Sequence, residues 1–474
     1  MSRVSSDVLV STLMQASLKV RGLILIPLLT LTLGVAEYGA YMQVLAVVSI
    51  LANICLLGSN YGIVNYAHNT ETPKRLFSSL FLLTTTLAVF VGALVAVNAE
   101  LLARLTLRAD RFAPLFLVGS AYIVVTVVFQ LGRAHFQANR RVKLFSTFEA
   151  VDVYLSVGSI AFAIIVFDTG ISGVLVVTLL SRIVSNILLY GIIVRSTGIA
   201  RPTGTDVIGC LRFSIGALGN KLSQKLLDRT DRILVGYFLG AGAVGIYSAA
   251  YSVSYILLLY SRPLSVTFFP EFSQRWANDD HTTIQEYTAS GLRYLAVLGL
   301  PSIAGLALIG PDVLEVLSTQ DVAQLGGVVL VILAGAMLSR GVVEIYTQLF
   351  YATNNSRPPA LIQGSAAIGN ALLNVVMIPV WGIEGAAIAS LLSFACSAIV
   401  LGVLFQPTLR TPLPWNKFWV TVVTTFVMFV VFLVIDLSWI ATLTLAPIVY
   451  TAMLFTLGGV DRSDLETIVD TVQG

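Results

Sequence analysis

The chain has 474 residues, 57% hydrophobic and 11% charged, with a net charge of +3; its mean hydropathy is +0.88. Soluble domains run at about 45–50% apolar and about 25% charged, so a water-soluble globular fold is excluded and no nucleic-acid partner is expected. The three cysteines, Cys55, Cys210 and Cys396, lie in or beside apolar runs, a pattern of neither a disulfide framework nor a metal site, and no cofactor is expected.

The first apolar run follows Arg3 and ends near Gly34-Val35-Ala36, which resembles a signal peptide with a cleavage site. Lys19 and Arg21 interrupt it, and the region recurs later in the chain, so a first membrane helix is expected instead. Apolar stretches of spanning length follow in order at 12–34, 39–58, 76–97, 112–132, 147–167, 171–194, 213–239, 244–266, 289–310, 325–349, 360–380, 383–405, 417–435 and 438–458. At about 20 residues per crossing, with every backbone group bonded internally, they predict an all-α integral membrane protein of about fourteen transmembrane helices.

With the N-terminus inside, the inner loops hold Arg3, Lys74 and Arg75, Arg133 to Lys143, Arg195, Arg201, Arg212, Arg275, Arg293, Arg357, Arg410, Lys417 and Arg462. The outer loops hold only Arg104, Arg108 and Arg111. The positive-inside rule then puts both termini in the cytoplasm and the protein in the cytoplasmic (inner) membrane. The outer loops are short, and the longest polar inner loop is expected over 270–288. His68, His135 and His281 are expected to be solvated loop residues rather than ligands.

The chain repeats itself. Leu33-Gly34…Gly39-Ala40-Tyr41 and Leu239-Gly240…Gly245-Ile246-Tyr247 share L-G-x-x-x-x-G-x-Y at an offset of 206 residues. Gly170-Ile171-Ser172-Gly173 and Gly382-Ile383-Glu384-Gly385 match at 212. Two pseudo-symmetric six-helix bundles are expected, at 1–205 and 206–405, with two C-terminal helices and a tail over 406–474. Six is even, so the halves share one orientation, a known transporter plan.

Charges persist inside the apolar runs, where each costs at least ~2.5–3.5 kcal/mol at the bilayer centre. At about 100° per residue, Lys221, Lys225, Arg229, Arg232 and Asp228 fall within one stripe of the seventh span. The 206 offset places Lys19 on the position of Lys225. Arg340 and Glu344 are spaced as an ion pair. Cations in such a stripe suit a phosphate or pyrophosphate group, which they would carry through a low-dielectric path; the competing reading is that they are structural, snorkelling to the interface or pairing. Asp228, Asp231 and Glu344 are the ion-coupling candidates, with Asp152 behind them. No G-x-x-x-x-G-K-[ST] loop, metal cluster or nucleophile elbow is present, so no catalytic residue and no enzyme activity are expected.

Three motifs carry a resemblance: Leu33-Gly34…Tyr38-Gly39-Ala40-Tyr41, Asp231-Arg232-Ile233-Leu234-Val235-Gly236…Leu239-Gly240 with Val244-Gly245-Ile246-Tyr247, and Ile378-Pro379-Val380-Trp381-Gly382-Ile383-Glu384-Gly385-Ala386-Ala387. Together the chain resembles the O-antigen and polysaccharide flippases of the multidrug/oligosaccharidyl-lipid/polysaccharide exporter superfamily. The resemblance implies two lobes, alternating access and passage of a polyprenyl-(pyro)phosphate-linked oligosaccharide to the outer leaflet in lipopolysaccharide or polysaccharide biosynthesis. It implies an ion gradient of H+ or Na+, membrane lipids as partners, and polysaccharide polymerase and glycosyltransferases as neighbours. Substrate-binding candidates are Lys19, Lys221, Lys225, Arg229, Arg232 and Arg340. The alternatives are a lipid II-type flippase, a multidrug or cation antiporter of the same superfamily and, more distantly, a membrane polysaccharide polymerase or ligase.

Overall fold

A computed structural model of the chain describes residues 21–66, 73–139, 141–198, 200–202, 207–261, 271–406, 408, 415–435 and 437–459. Every regular element among them is helical. In chain order these are α1 (Arg21–Thr30), α2 (Val35–Leu56), α3 (Ser59–Tyr66), α4 (Pro73–Val97), α5 (Ala99–Leu107), a 3-10 turn at Asp110–Phe112, α6 (Ala113–Ala138), α7 (Val142–Phe167) and α8 (Ile171–Thr197). They continue with α9 (Val207–Leu239), α10 (Ala241–Ser254), a 3-10 stretch at Tyr255–Leu259 and α11 (271–277). The last are α12 (His281–Leu317), α13 (Gln320–Ala352), α14 (Arg357–Phe405), α15 (Trp415–Ile435) and α16 (Trp439–Thr456).

Eleven of these helices are long and apolar enough to cross a membrane, which makes the chain a multi-pass membrane protein. Two departures from that composition carry information. α9, at 33 residues, extends about 50 Å, yet its charges keep it off the apolar set. α14 runs for 49 residues but breaks at Gly382, where φ is 61° and ψ −139°. No β-carbon opposes that conformation in glycine, and two helical segments are joined there without a loop.

Contacts divide the chain into two compact units. One comprises Met1–Ala249 with Gln363–Ala386, the other Ala250–Ile362 with Ala387–Gly474. This division does not follow the boundary at 205/206, because α9 packs on α2, α3 and α5. In the first unit α6 is the central helix, flanked by α2, α4 and α8. Phe129, Phe136, Phe148, Leu189 and Ile193 form a buried cluster there. In the second, α12 packs along α13, α15 and α16, and Tyr450 donates its hydroxyl to the Val297 carbonyl.

Two expectations fail at the polar ends of the helices. His135 is not a loop residue: α6 continues past it, the side chain is buried, and its ring lies 4.8 Å from that of Phe77. The aromatic wall on α4 and α8 supplies cover that hydropathy does not register. His281 opens α12 with a partly exposed ring, and His68 lies outside the described residues. The second failure is the inner loop at 270–288, which is largely helix. α11 and the first turns of α12 meet at a turn where Arg275 pairs with Asp280 at 2.9 Å and with Glu271 at 3.3 Å.

Asp280 is the N-cap of α12, accepting the Thr283 N–H at 3.3 Å. Hydrogen bonds from Thr283 first, then Arg275, hold its carboxyl below the usual carboxylate range. Because the folded value lies below the unfolded one, the stabilisation is complete at neutral pH and is lost as the pH falls through the folded value. Asp280→Ala is expected to speed hydrogen exchange at the Thr283 amide at neutral pH. Asp280→Asn, which keeps an acceptor, should speed it far less, and the difference between wild type and Asp280→Ala should shrink on acidification.

Candidate functional site

The helical period of α9 sorts its polar residues onto two faces. Leu227, Asp231 and Val235 recur every fourth residue, and all three are buried. Lys225, Asp228 and Arg229 lie on the adjoining face and are half-buried. Arg232 belongs to that face by angle but is only 3% exposed. Lys221 sits on the same helix, with its side chain outside the described set, and Lys19 lies outside the described residues altogether.

Asp231 is 2% exposed, and an ionised carboxylate at that depth needs donors. It has them. The Tyr247 hydroxyl donates to Oδ2 at 2.9 Å, and Asn374 Nδ2 donates to Oδ1 at 2.9 Å. Asn374 also reaches the carbonyl and the side-chain oxygen of Asn370, at 2.9 and 3.1 Å. About two turns along the same seam, Gln224 Nε2 donates to Gln363 Oε1 at 3.0 Å. A polar seam therefore joins α9 to the first half of α14, with Asp231 at its centre. Tyr247 was visible in the repeat motif, but its role was not. Asn370 and Asn374 went unnoticed, although two amides spaced i,i+4 in an apolar run are a legible signal of a shared polar contact.

A second polar group lies in the same unit, away from α9. Arg182 on α8 pairs with Asp152 on α7 at 2.8 Å and donates to the Tyr122 hydroxyl on α6 at 3.3 Å. Its guanidinium stacks 4.3 Å from the Phe129 ring centroid. Arg21 on α1 reaches Ser156 Oγ at 3.5 Å. Arg133 and Glu149 pair at 2.9 Å, with Arg133 over the Phe145 ring at 4.2 Å. Asp152 is thus bound to a fixed cation, the arrangement of a counter-ion.

In the other unit, Arg340 and Glu344 meet at 3.9 Å on α13, as their spacing suggested. Glu344 Oε2 accepts from Ser261 at 2.8 Å. The Arg340 guanidinium lies 5.5 Å from the Phe394 ring centroid and 5.8 Å from that of Tyr255, a bracket that suits a desolvated guanidinium. Among the described residues, no group of three or more His, Cys, Asp or Glu side chains could hold a metal ion.

Helix order and the break in α14 define an all-helical, multi-pass membrane fold. The chain belongs to the family of polysaccharide biosynthesis proteins, whose pattern it matches over residues 28–324. Over 379 residues it is 26% identical to the probable flippase AglR of Haloferax volcanii, covering 78% of this chain and 76% of that one. It is also 26% identical over 247 residues to the teichuronic acid biosynthesis protein TuaB of Bacillus subtilis, about half of each chain. The lipid II flippase MurJ in an inward closed conformation superposes with a TM-score of 0.80 at 14% identity, covering 94% of this chain and 98% of that one. An inward-facing multidrug resistance transporter of the MATE family gives 0.67 at 13%, covering 83% and 94%. At such identities these two show the fold alone.

Removing one member of a buried ion pair leaves an uncompensated charge and costs about 3–5 kcal/mol, whereas removing both costs far less. Arg182→Met alone is therefore expected to lower the thermal midpoint of the purified protein sharply. Arg182→Met combined with Asp152→Asn should recover most of the loss, as read by thermal unfolding in detergent.

Proposed function

We propose that the protein is a flippase that carries a polyprenyl-(pyro)phosphate-linked oligosaccharide from the inner to the outer leaflet of the cytoplasmic membrane. The supports are membership of the polysaccharide biosynthesis family, likeness to a probable flippase over most of both chains, and the fold of a lipid II flippase. The observation that carries the substrate class is the half-buried face of α9 bearing Lys225 and Arg229. Cations are costly at membrane depth, and a (pyro)phosphate linker is the part of a lipid-linked glycan that repays that cost. The sugars themselves are neutral or variable and set no such demand.

In this reading the two repeat halves, 1–205 and 206–405, are related by an axis along the membrane normal and rock against each other to alternate access, with 406–474 as an added pair of helices and tail. About fourteen helices cross the bilayer and both termini face the cytoplasm. Lys19, Lys221, Lys225, Arg229, Arg232 and Arg340 receive the linker. A multidrug or cation antiporter fits poorly with that charge, since organic cations call for an acidic or apolar lining. A lipid II substrate offers the same pyrophosphate and is separated from other glycans only by assay.

Coupling to H+ or Na+ is assigned first to Asp231, because it is a deeply buried carboxylate that accepts from Tyr247 and Asn374 on two other helices. Asp228 and Glu344 stand behind it. Asp152 is better suited as a counter-ion, given its contact with Arg182.

Lys225→Ala with Arg229→Ala is expected to cut flipping of undecaprenyl- or dolichyl-pyrophosphate oligosaccharides in proteoliposomes at least tenfold, with membrane insertion unchanged; equal rates would defeat the linker site. Asp231→Asn keeps the size of the side chain and removes its charge. It should abolish stimulation of flipping by an imposed ion gradient, and a gradient response equal to wild type would remove Asp231 from the coupling role.

A further inference from the structure

The two copies of the L-G-x-x-x-x-G-x-Y motif meet each other. A β-carbon added to Gly39 would collide with the Ala241 carbonyl oxygen and lie 2.6 Å from Gly245 N. One added to Gly245 would collide with the Val35 carbonyl oxygen and lie 2.8 Å from Val35 Cγ1. Val35 and Ala241 are equivalent positions of the repeat, as are Gly39 and Gly245. The contact is therefore reciprocal, each glycine admitting the backbone at the start of the other helix. Interfaces of small residues let helices in membranes approach this closely.

A strap lies across this crossing. The segment 98–112, which holds α5 and the 3-10 turn after it, carries Arg104, Arg108 and Arg111, the three cations that the positive-inside count leaves on the outer side. None of the three is a bare surface charge. Arg104 pairs within the strap with Asp110 at 2.9 Å. Arg108 Nη1 donates to the Phe238 carbonyl at 2.8 Å, capping the C-terminal end of α9. Arg111 pairs at 3.2 Å with Glu37, in the first turn of α2. Deeper in, Gln43 Nε2 donates to the carbonyls of Thr106 at 3.2 Å and Ile233 at 3.5 Å. A β-carbon on Gly236 would collide with the Thr106 carbonyl oxygen. The strap thus grips the end of α9 with one arginine and the start of α2 with another.

We infer that residues 98–112 are a latch that holds the paired glycine turns at 33–41 and 239–247 shut, and that opening toward the outer face requires it to release. The inference rests on the transporter reading and adds to it a named closing element. Its parts suit repeated release: the Arg111–Glu37 pair is largely solvent-exposed on the arginine side, and exposed pairs are weak and screened by salt. The glycine crossing supplies fit without side chains that would have to repack.

The geometry offers a direct test. A β-carbon on Gly240 would lie 4.0 Å from Arg108 Cβ, within the range that disulfides bridge. Gly240 has φ +86°, so the substitution is strained, and the comparison is made between oxidised and reduced forms of one protein. In a Cys396→Ser background, Arg108→Cys with Gly240→Cys is expected to form the disulfide. Oxidation should reduce flipping of an undecaprenyl-pyrophosphate oligosaccharide at least tenfold, and a reductant should restore it. A second readout needs no substrate. Ser248→Cys, buried one turn below Gly245, should react several-fold faster with an impermeant maleimide added outside when Glu37→Arg is present. It should return toward the wild-type rate when Arg111→Glu is added, and stop reacting when the strap is oxidised. Failure of the disulfide to form, flipping that ignores oxidation, or labelling that ignores Glu37→Arg overturns the latch. Labelling that responds as expected while no lipid-linked glycan moves in any form counts against the flippase reading and leaves the latch standing.

Discussion

Hydrocarbon offers no hydrogen-bond partner, and the polar groups within the spanning helices are placed under that constraint. Backbone groups meet it by forming helices. Side-chain hydroxyls meet it by bonding back to their own helix: Thr84 to Leu80, Thr178 to Val174, Ser254 to Ala250, Thr288 to Ile284 and Thr347 to Val343 each donate to the carbonyl four residues earlier. Larger polar groups reach a neighbouring helix instead. Asn186 and Tyr190 on α8 donate to the Val125 and Val128 carbonyls of α6, and these bonds fix the two helices in register. The polar minority of the sequence thereby does much to specify which helix lies beside which.

Charges answer the same constraint at higher stakes. Arg182 with Asp152, Arg133 with Glu149, and Arg340 with Glu344 pair inside their units, and aromatic rings cover the guanidinium groups. Pairs of this kind are seldom net stabilising; they hold helices in a defined arrangement. α9 differs in stoichiometry, since Lys221, Lys225, Arg229 and Arg232 outnumber Asp228 and Asp231. Asp231 is moreover engaged with Tyr247 and Asn374 on other helices. A membrane helix with that surplus is expensive to insert unless water, a neighbouring helix or an anion attends it.

The fold by itself would leave the cargo open. The same architecture appears in a lipid II flippase and in a multidrug transporter, so function lies in the side chains that the scaffold presents. The break at Gly382 and the crossing of Gly39 with Gly245 belong to the scaffold. The charges of α9 and the bonds of Asp231 to Tyr247 and Asn374 are side-chain features carried on that scaffold.

Much could be read from the sequence alone because hydropathy is a local, additive property. Hydropathy sufficed for the all-helical, multi-pass class, matching motifs marked the internal repeat, and helical period grouped Lys221, Lys225, Arg229 and Arg232 on one helix. The i,i+4 pair of Arg340 and Glu344 was legible for the same reason: both partners sit on one helix, where spacing is geometry. Contacts between helices were not legible. That Asp231 turns to Asn374 across 143 residues, that Arg182 takes Asp152 as its partner, and that His135 is covered by Phe77 all depend on which helices pack together. So does the meeting of Gly39 with Gly245, which the repeat announced as a motif without saying that its two copies touch. Periodicity along one helix assigns a face to each residue; only the packing of another helix against that face decides whether it meets lipid, water or a bonding partner.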